Sequence, residues 1–90
     1  MSQYICDPTK NFVDKKPFSQ THIGNNMNQH DAIRQCKKNA QGHDFFVQQH
    51  SGAAGYTVCG IFNEALDSSD HVVTHGHKYG SVCYKQALYP

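Results

Sequence analysis

Four cysteines in a chain of 90 residues, Cys6, Cys36, Cys59 and Cys83, constrain what it can fold into more than any other feature. A domain this small buries a limited fraction of its surface, so its core is marginal without a covalent or metal staple. None of the four lies in a CxxC pair, which leaves a zinc ribbon or a thioredoxin-type motif without support. An even count in so short a chain points to two disulfides and an oxidising compartment; four free thiols in the cytosol is the alternative. Met1-Ser2-Gln3 lacks the charged start and apolar core of a signal peptide, which fits secretion if Met1 is a start codon placed where a leader was removed.

The pairing is open among three connectivities. Cys6 with Cys83 would tie the terminal strands together, and Cys36 with Cys59 would pin a helix to the sheet. Each bridge closes a long loop and contributes roughly 3 to 5 kcal/mol by the chain-entropy estimate, comparable with the whole stability of such a domain.

The elements follow from periodicity and punctuation. Tyr4-Ile5-Cys6 starts a strand that stops at Asp7-Pro8, and Pro17 to Ile23 reads as its return, together an N-terminal hairpin. From Asn28 to Gln41 the pattern is helical. Asn28 is the N-cap, Asp31 is a first-turn acid, and Ala32, Ile33, Cys36 and Ala40 fall on one stripe. Lys37 and Lys38 suit the C-terminal end of the dipole, and Gly42 is a natural stop. HDFFVQQH then reads as a strand with Phe45 and Val47 on one face and Phe46 on the other. After the SGAAG loop, TVCGIF, HVVTH and SVCYK read as three further strands. Along HVVTH, alternation predicts His71, Val73 and His75 on one face and Val72 and Thr74 on the other. The order defines a single α+β domain over residues 1–90: an N-terminal hairpin, then one helix packed on an antiparallel sheet.

Composition narrows the function classes. Hydrophobic content of 38% and charge of 17% describe a globular chain, and a net charge of +1 does not by itself predict nucleic-acid binding. No apolar run is long enough to cross a membrane as a helix, and no membrane partner is expected.

The order of elements and the segment IFNEALDSSDHVVTHGHKYGSVC resemble the fungal guanyl-specific ribonucleases. In that family a late strand carries a V-I-T-H-type segment whose histidine is the catalytic acid, and a terminal cysteine bonds back to the N-terminus. His75 takes the histidine's place and Cys83 the cysteine's. With Tyr4-Ile5-Cys6 at one end and Cys83 at the other, the chain also resembles the ribonuclease-like effectors secreted by powdery mildew fungi. That resemblance implies a ribonuclease-like (microbial) fold without most of its catalytic set. It further implies a virulence or avirulence protein secreted by the fungus that acts inside the host plant cell. Its expected partners are host proteins, a plant intracellular immune receptor among them, and weakly host RNA.

Cleavage of RNA through a cyclic phosphate needs a general base, a general acid and a cation for the charge that develops. His75 is the candidate acid. The strand HDFFVQQH, where the family has its base, contains no glutamate, and Asp44 lies at its start. TVCGIF holds no arginine; Arg34 is on the helix, and Glu64 is in a turn. The expectation is a pseudoenzyme in which His75 is a residual family position. An active ribonuclease or ribotoxin using His75 with Asp44, Glu64 or another histidine is the alternative.

Candidates for RNA or partner contact are His75, His77, Lys78, Tyr79, Tyr84 and Lys85, a basic and aromatic group near the chain end. Recognition loops are expected at residues 14–16, 51–55 and 67–70 and at a tip over residues 77–80. His71, His75 and His77 raise a metal question, but no cysteine or carboxylate completes a set and Gly76 turns the chain, so neither a metal site nor a cofactor is expected. A third reading is an extracellular binding module of the apple type, whose helix cysteine followed by a DFFVQQ-like strand and a VCGIF-like strand this chain shares. Its usual second helix cysteine is missing here. Strand order separates that reading from the ribonuclease-like one.

Overall fold

A computed structural model describes residues 4–12, 14–73 and 75–85. Its elements are β1 (Tyr4–Asp7), β2 (Asn11–Phe12), β3 (Ser19–Asn25), α1 (Gln29–Ala40), β4 (Asp44–His50), β5 (Tyr56–Phe62), a short 3-10 turn at Ser68–Asp70, β6 (His71–Val72) and β7 (His77–Lys85). Five strands form one antiparallel sheet in the order β1-β7-β4-β5-β3, and β2 pairs with β6 in a separate two-stranded ribbon. The fold is α+β, with one helix packed on an antiparallel sheet.

The helix forms where its punctuation predicts. Asn28 adopts an extended conformation and its side chain accepts a hydrogen bond from Asp31 N at 2.8 Å. At the other end Gln41 is left-handed at φ 50° and Gly42 follows at φ 92°, which turns the chain straight into β4. The helix buries Ala32, Cys36 and Ala40 against Phe45, Val47, Cys59 and Cys83 of the sheet. Gln29 Nε2 donates to Ser81 Oγ at 2.6 Å and so fastens the first helical turn to β7.

Alternation along β4 sends Phe46 to the opposite face, where it packs with Phe62, Leu66 and Val82 in a second cluster. The segment between β1 and β3 crosses that face. Asn11 is buried against Gly80, where a Cβ would lie 1.6 Å from Asn11 Oδ1. β4 is therefore covered on both faces, which explains why Asp44 to Val47 are all buried.

Both disulfides form, Cys6–Cys83 and Cys36–Cys59, spanning 77 and 23 residues. Cys6 and Cys83 are direct partners across β1 and β7, 4.1 Å apart at Cα. Cys36 and Cys59 join helix to sheet.

Two expectations are revised. Both N-terminal strands form, but they do not pair with each other: β1 adds to β7 and β3 adds to β5, at opposite edges of the sheet. The residues between them are spent on crossing the sheet, not on a tight turn. HVVTH is not a strand of the main sheet either. Among its described residues only His71 and Val72 form a strand, and they pair with Phe12 and Asn11. β4 already has β5 and β7 as neighbours, and those are edged by β3 and β1, so the main sheet has no central place for a further strand. The face expected for Thr74 lies outside the described residues.

Candidate functional site

His75, the candidate acid, is exposed in the bend that precedes β7 and not on a strand. The carboxylates and the arginine that could act with it are elsewhere. Asp44 begins β4, while the bend leads into His77, the register partner of His50 at the end of β4. Six strand steps separate those two ends, about 20 Å at 3.4 Å per residue. Asp44 is also fully engaged as a structural acceptor, from Lys85 N at 2.9 Å and from Leu66 N at 3.2 Å. Glu64 is exposed just beyond Phe62, which is the register partner of Asp44, and so belongs to the same far end. Arg34 is ion-paired with Asp31 on the outer face of the helix. Proton transfer needs hydrogen-bond reach, about 3 Å, or one bridging water. A separation of about 20 Å does not supply it.

The six predicted contact residues do not form one patch. His77 and Lys85 mark opposite ends of the nine-residue β7, so residues 77–80 are strand and not a loop tip. Lys78 is exposed where the β4–β7 register shifts between Gln49 and His50. Tyr79 faces the helix side among the partly buried core residues, and burial raises its pKa, partly offset by the Thr57 hydroxyl. Tyr84 points to the other face, its ring 5.6 Å from that of His71. His71 and His77 are thereby apart, and among the described residues no three His, Cys, Asp or Glu side chains converge as metal ligands.

What the strands do bring together is a row of rings on the face opposite the helix. In order across β3, β5, β4 and β7 these are His22, Tyr56, His50 and His77. Ring centres are 5.9 Å apart for His22–Tyr56, 4.3 Å for Tyr56–His50 and 4.4 Å for His50–His77. Tyr56 and His50 stack nearly parallel at 19°, and the outer two pairs meet edge to face. Tyr56 is 44% exposed, so the row is a ledge and not a core cluster. His22 Nε2 is anchored by Asn25 Oδ1 at 2.6 Å. The Ser51 hydroxyl donates to the Gly76 carbonyl and ties the loop after β4 to the bend before β7. Burial, reinforced by the neighbouring His50, lowers the His77 pKa.

This ledge was missed because its members come from four strands. One signal was available: SGAAG is a five-residue hairpin loop, and closing it sets His50 beside Tyr56. A ledge of half-exposed rings offers flat π-surface and imidazole nitrogens to a partner, with no carboxylate among its members.

At the other end of the sheet a cleft of about 100 Å³ is lined by residues including His43, Asp44, Glu64 and Lys85. Pockets that enclose a ligand run to about 300 Å³ and more, so this one does not enclose a nucleotide. Compared with family models, curated proteins and solved structures, the chain matches none.

Proposed function

We propose that this chain is a secreted, non-catalytic binding domain that acts by contact with a host macromolecule. The observation that carries the reading is the separation of about 20 Å between the bend holding His75 and the strand end holding Asp44 and Glu64. Neither the Asp44 and Glu64 carboxylates nor Arg34, which is paired with Asp31, is placed to act with His75. The two disulfides are compatible with an oxidising compartment, and among the described residues no helix is long and apolar enough to cross a membrane. Contact falls to the ring ledge and to the exposed loop at residues 51–54 beside it.

In the effector form of this reading the host is a plant, the partners are host proteins, and an intracellular immune receptor recognises the domain. Tyr4-Ile5-Cys6 and the terminal Cys83 support that form. A second reading, the extracellular apple-type binding module, is favoured by one specific observation. His71 and Val72 pair with β2 and not within the five-stranded sheet. Both readings predict a binder without nuclease activity.

The test is an RNA-cleavage assay on purified, oxidised protein with His75→Ala beside it. No cleavage by either is expected; cleavage by the wild type that the variant loses overturns the proposal. Expression inside plant cells carrying a panel of immune receptors separates the two forms. Cell death supports the effector, and silence across the panel leaves the apple-type module as the better reading.

A further inference from the structure

His50 and His77 form a pair with chemistry of its own. They are register partners on adjacent antiparallel strands, and their rings lie 4.4 Å apart at 65°. Metal–imidazole bonds of about 2.0–2.1 Å let one ion bridge two nitrogens at most about 4 Å apart, so two rings at this spacing are within reach of one ion. The sheet has already brought the ligands together, so little ordering remains to be done on binding.

One further observation points to a ligand here, and a second shows how His50 is placed. His77 Nδ1 is buried without a hydrogen-bond partner, the kind of atom that native structures seldom leave unpaired. His50 is held from two sides. Tyr56 stacks on its ring at 4.3 Å, and the Gln48 carboxamide lies 3.2 Å from His50 Nε2. With the amide nitrogen as donor, the single lone pair of that Nε2 is taken up in this hydrogen bond, so an ion bound there displaces the Gln48 amide.

We infer that His50 and His77 form a two-histidine site for a divalent transition ion, taken up in the order Cu²⁺ before Ni²⁺ and Zn²⁺. Imidazole suits these ions, and the order follows their general affinities for nitrogen ligands. No third protein ligand converges among the described residues, so water completes the coordination and the ion exchanges readily. The inference is independent of the proposed function, since it concerns ion binding and not a macromolecular partner.

The seven histidines of the chain provide a background of one-nitrogen binding that any test has to remove. Tag-free, oxidised protein stripped with chelator is titrated with Cu²⁺, and separately with Ni²⁺, by calorimetry at neutral pH. Thermal unfolding is followed at each ion concentration. The expected result is one ion per chain bound above the one-nitrogen background, a rise in Tm with added ion, and binding weakened about 100-fold in His50→Ala and in His77→Ala, as loss of one of two tethered ligands implies. His71→Ala and His75→Ala should bind as the wild type does. Full-strength binding by His77→Ala, or loss of it in His71→Ala or His75→Ala, overturns the inference. Should either alanine variant fail to fold, the Cu²⁺ electron paramagnetic resonance spectrum of the wild type decides. Hyperfine structure from two imidazole nitrogens supports the site, and structure from one nitrogen overturns it.

Discussion

The ring of Phe46 fills the space above its cross-strand partner Gly60: a Cβ at that glycine would lie 2.0 Å from Phe46 Cε1. Glycine is used here for the room it leaves, since a phenylalanine ring replaces the missing side chain on the pleat. Gly60→Ala should therefore destabilise by about 1–3 kcal/mol through overpacking. Combining it with Phe46→Leu should cost less than the sum of the two single changes, because the ring is what the methyl meets. Denaturant unfolding of the four proteins checks this, and strict additivity would count against it.

The two disulfides differ in the loops they close. With sequence separations of 77 and 23, the chain-entropy relation assigns about 4.5 kcal/mol to Cys6–Cys83 and about 3.4 kcal/mol to Cys36–Cys59. The expected ranking is that Cys6→Ala with Cys83→Ala loses more stability than Cys36→Ala with Cys59→Ala. Equilibrium unfolding of the two double variants measures it. The helix–sheet bridge lies in the core with both cysteines fully buried, so a reversed ranking would mean that packing outweighs loop closure there.

How legible the fold was depends on the range of the information. The helix is written locally, in Asn28, the stripe Ala32–Cys36–Ala40 and the stop at Gly42, and it forms as read. β4 and β5 carry strong alternation and also form. β7 was read four residues short because Gly80 looks like a turn signal. Its small size is required by Asn11, which is 69 positions earlier and crosses the strand there. HVVTH shows the converse: its alternation is real, but whether an extended segment joins a sheet depends on a free neighbour, which local sequence does not encode. The candidate site suffered most. Its four rings lie on four strands, and only the His50–Tyr56 contact is set by one short loop.

Acid should weaken the fold. His77 and His71 both have lowered pKa values, His77 through burial and then the His50 charge, His71 through burial and then Lys10, with Asp7, Asp70 and Asp67 opposing. A histidine titrating lower in the folded state binds fewer protons there than when unfolded, so stability rises with pH across that interval. Their contribution is present above the unfolded value of about 6.5 and is lost as pH falls through the folded values. Tm measured in chelator should drop between pH 7 and pH 5, and His77→Gln should flatten part of the slope. A Tm that rises on acidification over this range would contradict the assignment.

Asp44 separates scaffold from chemistry. It is 3% exposed, and its two carboxylate oxygens accept from Lys85 N and Leu66 N, joining the start of β4 to the end of β7 and to the Leu66 plug of the second core cluster. Asparagine has one acceptor oxygen, so Asp44→Asn sets an NH₂ group against a backbone N–H and should cost about 1–3 kcal/mol. As a general base, the same residue would show the opposite pattern: near-normal stability and abolished RNA cleavage. The ring ledge is at the other end of β4, about 20 Å away. Ion binding at His50 and His77 should therefore survive in Asp44→Asn at temperatures where the variant is folded. Unfolding curves and the Cu²⁺ titration on one preparation separate the two roles. Lost stability with retained ion affinity is the expected pair of results, because a carboxylate spent on two backbone donors holds the sheet end closed.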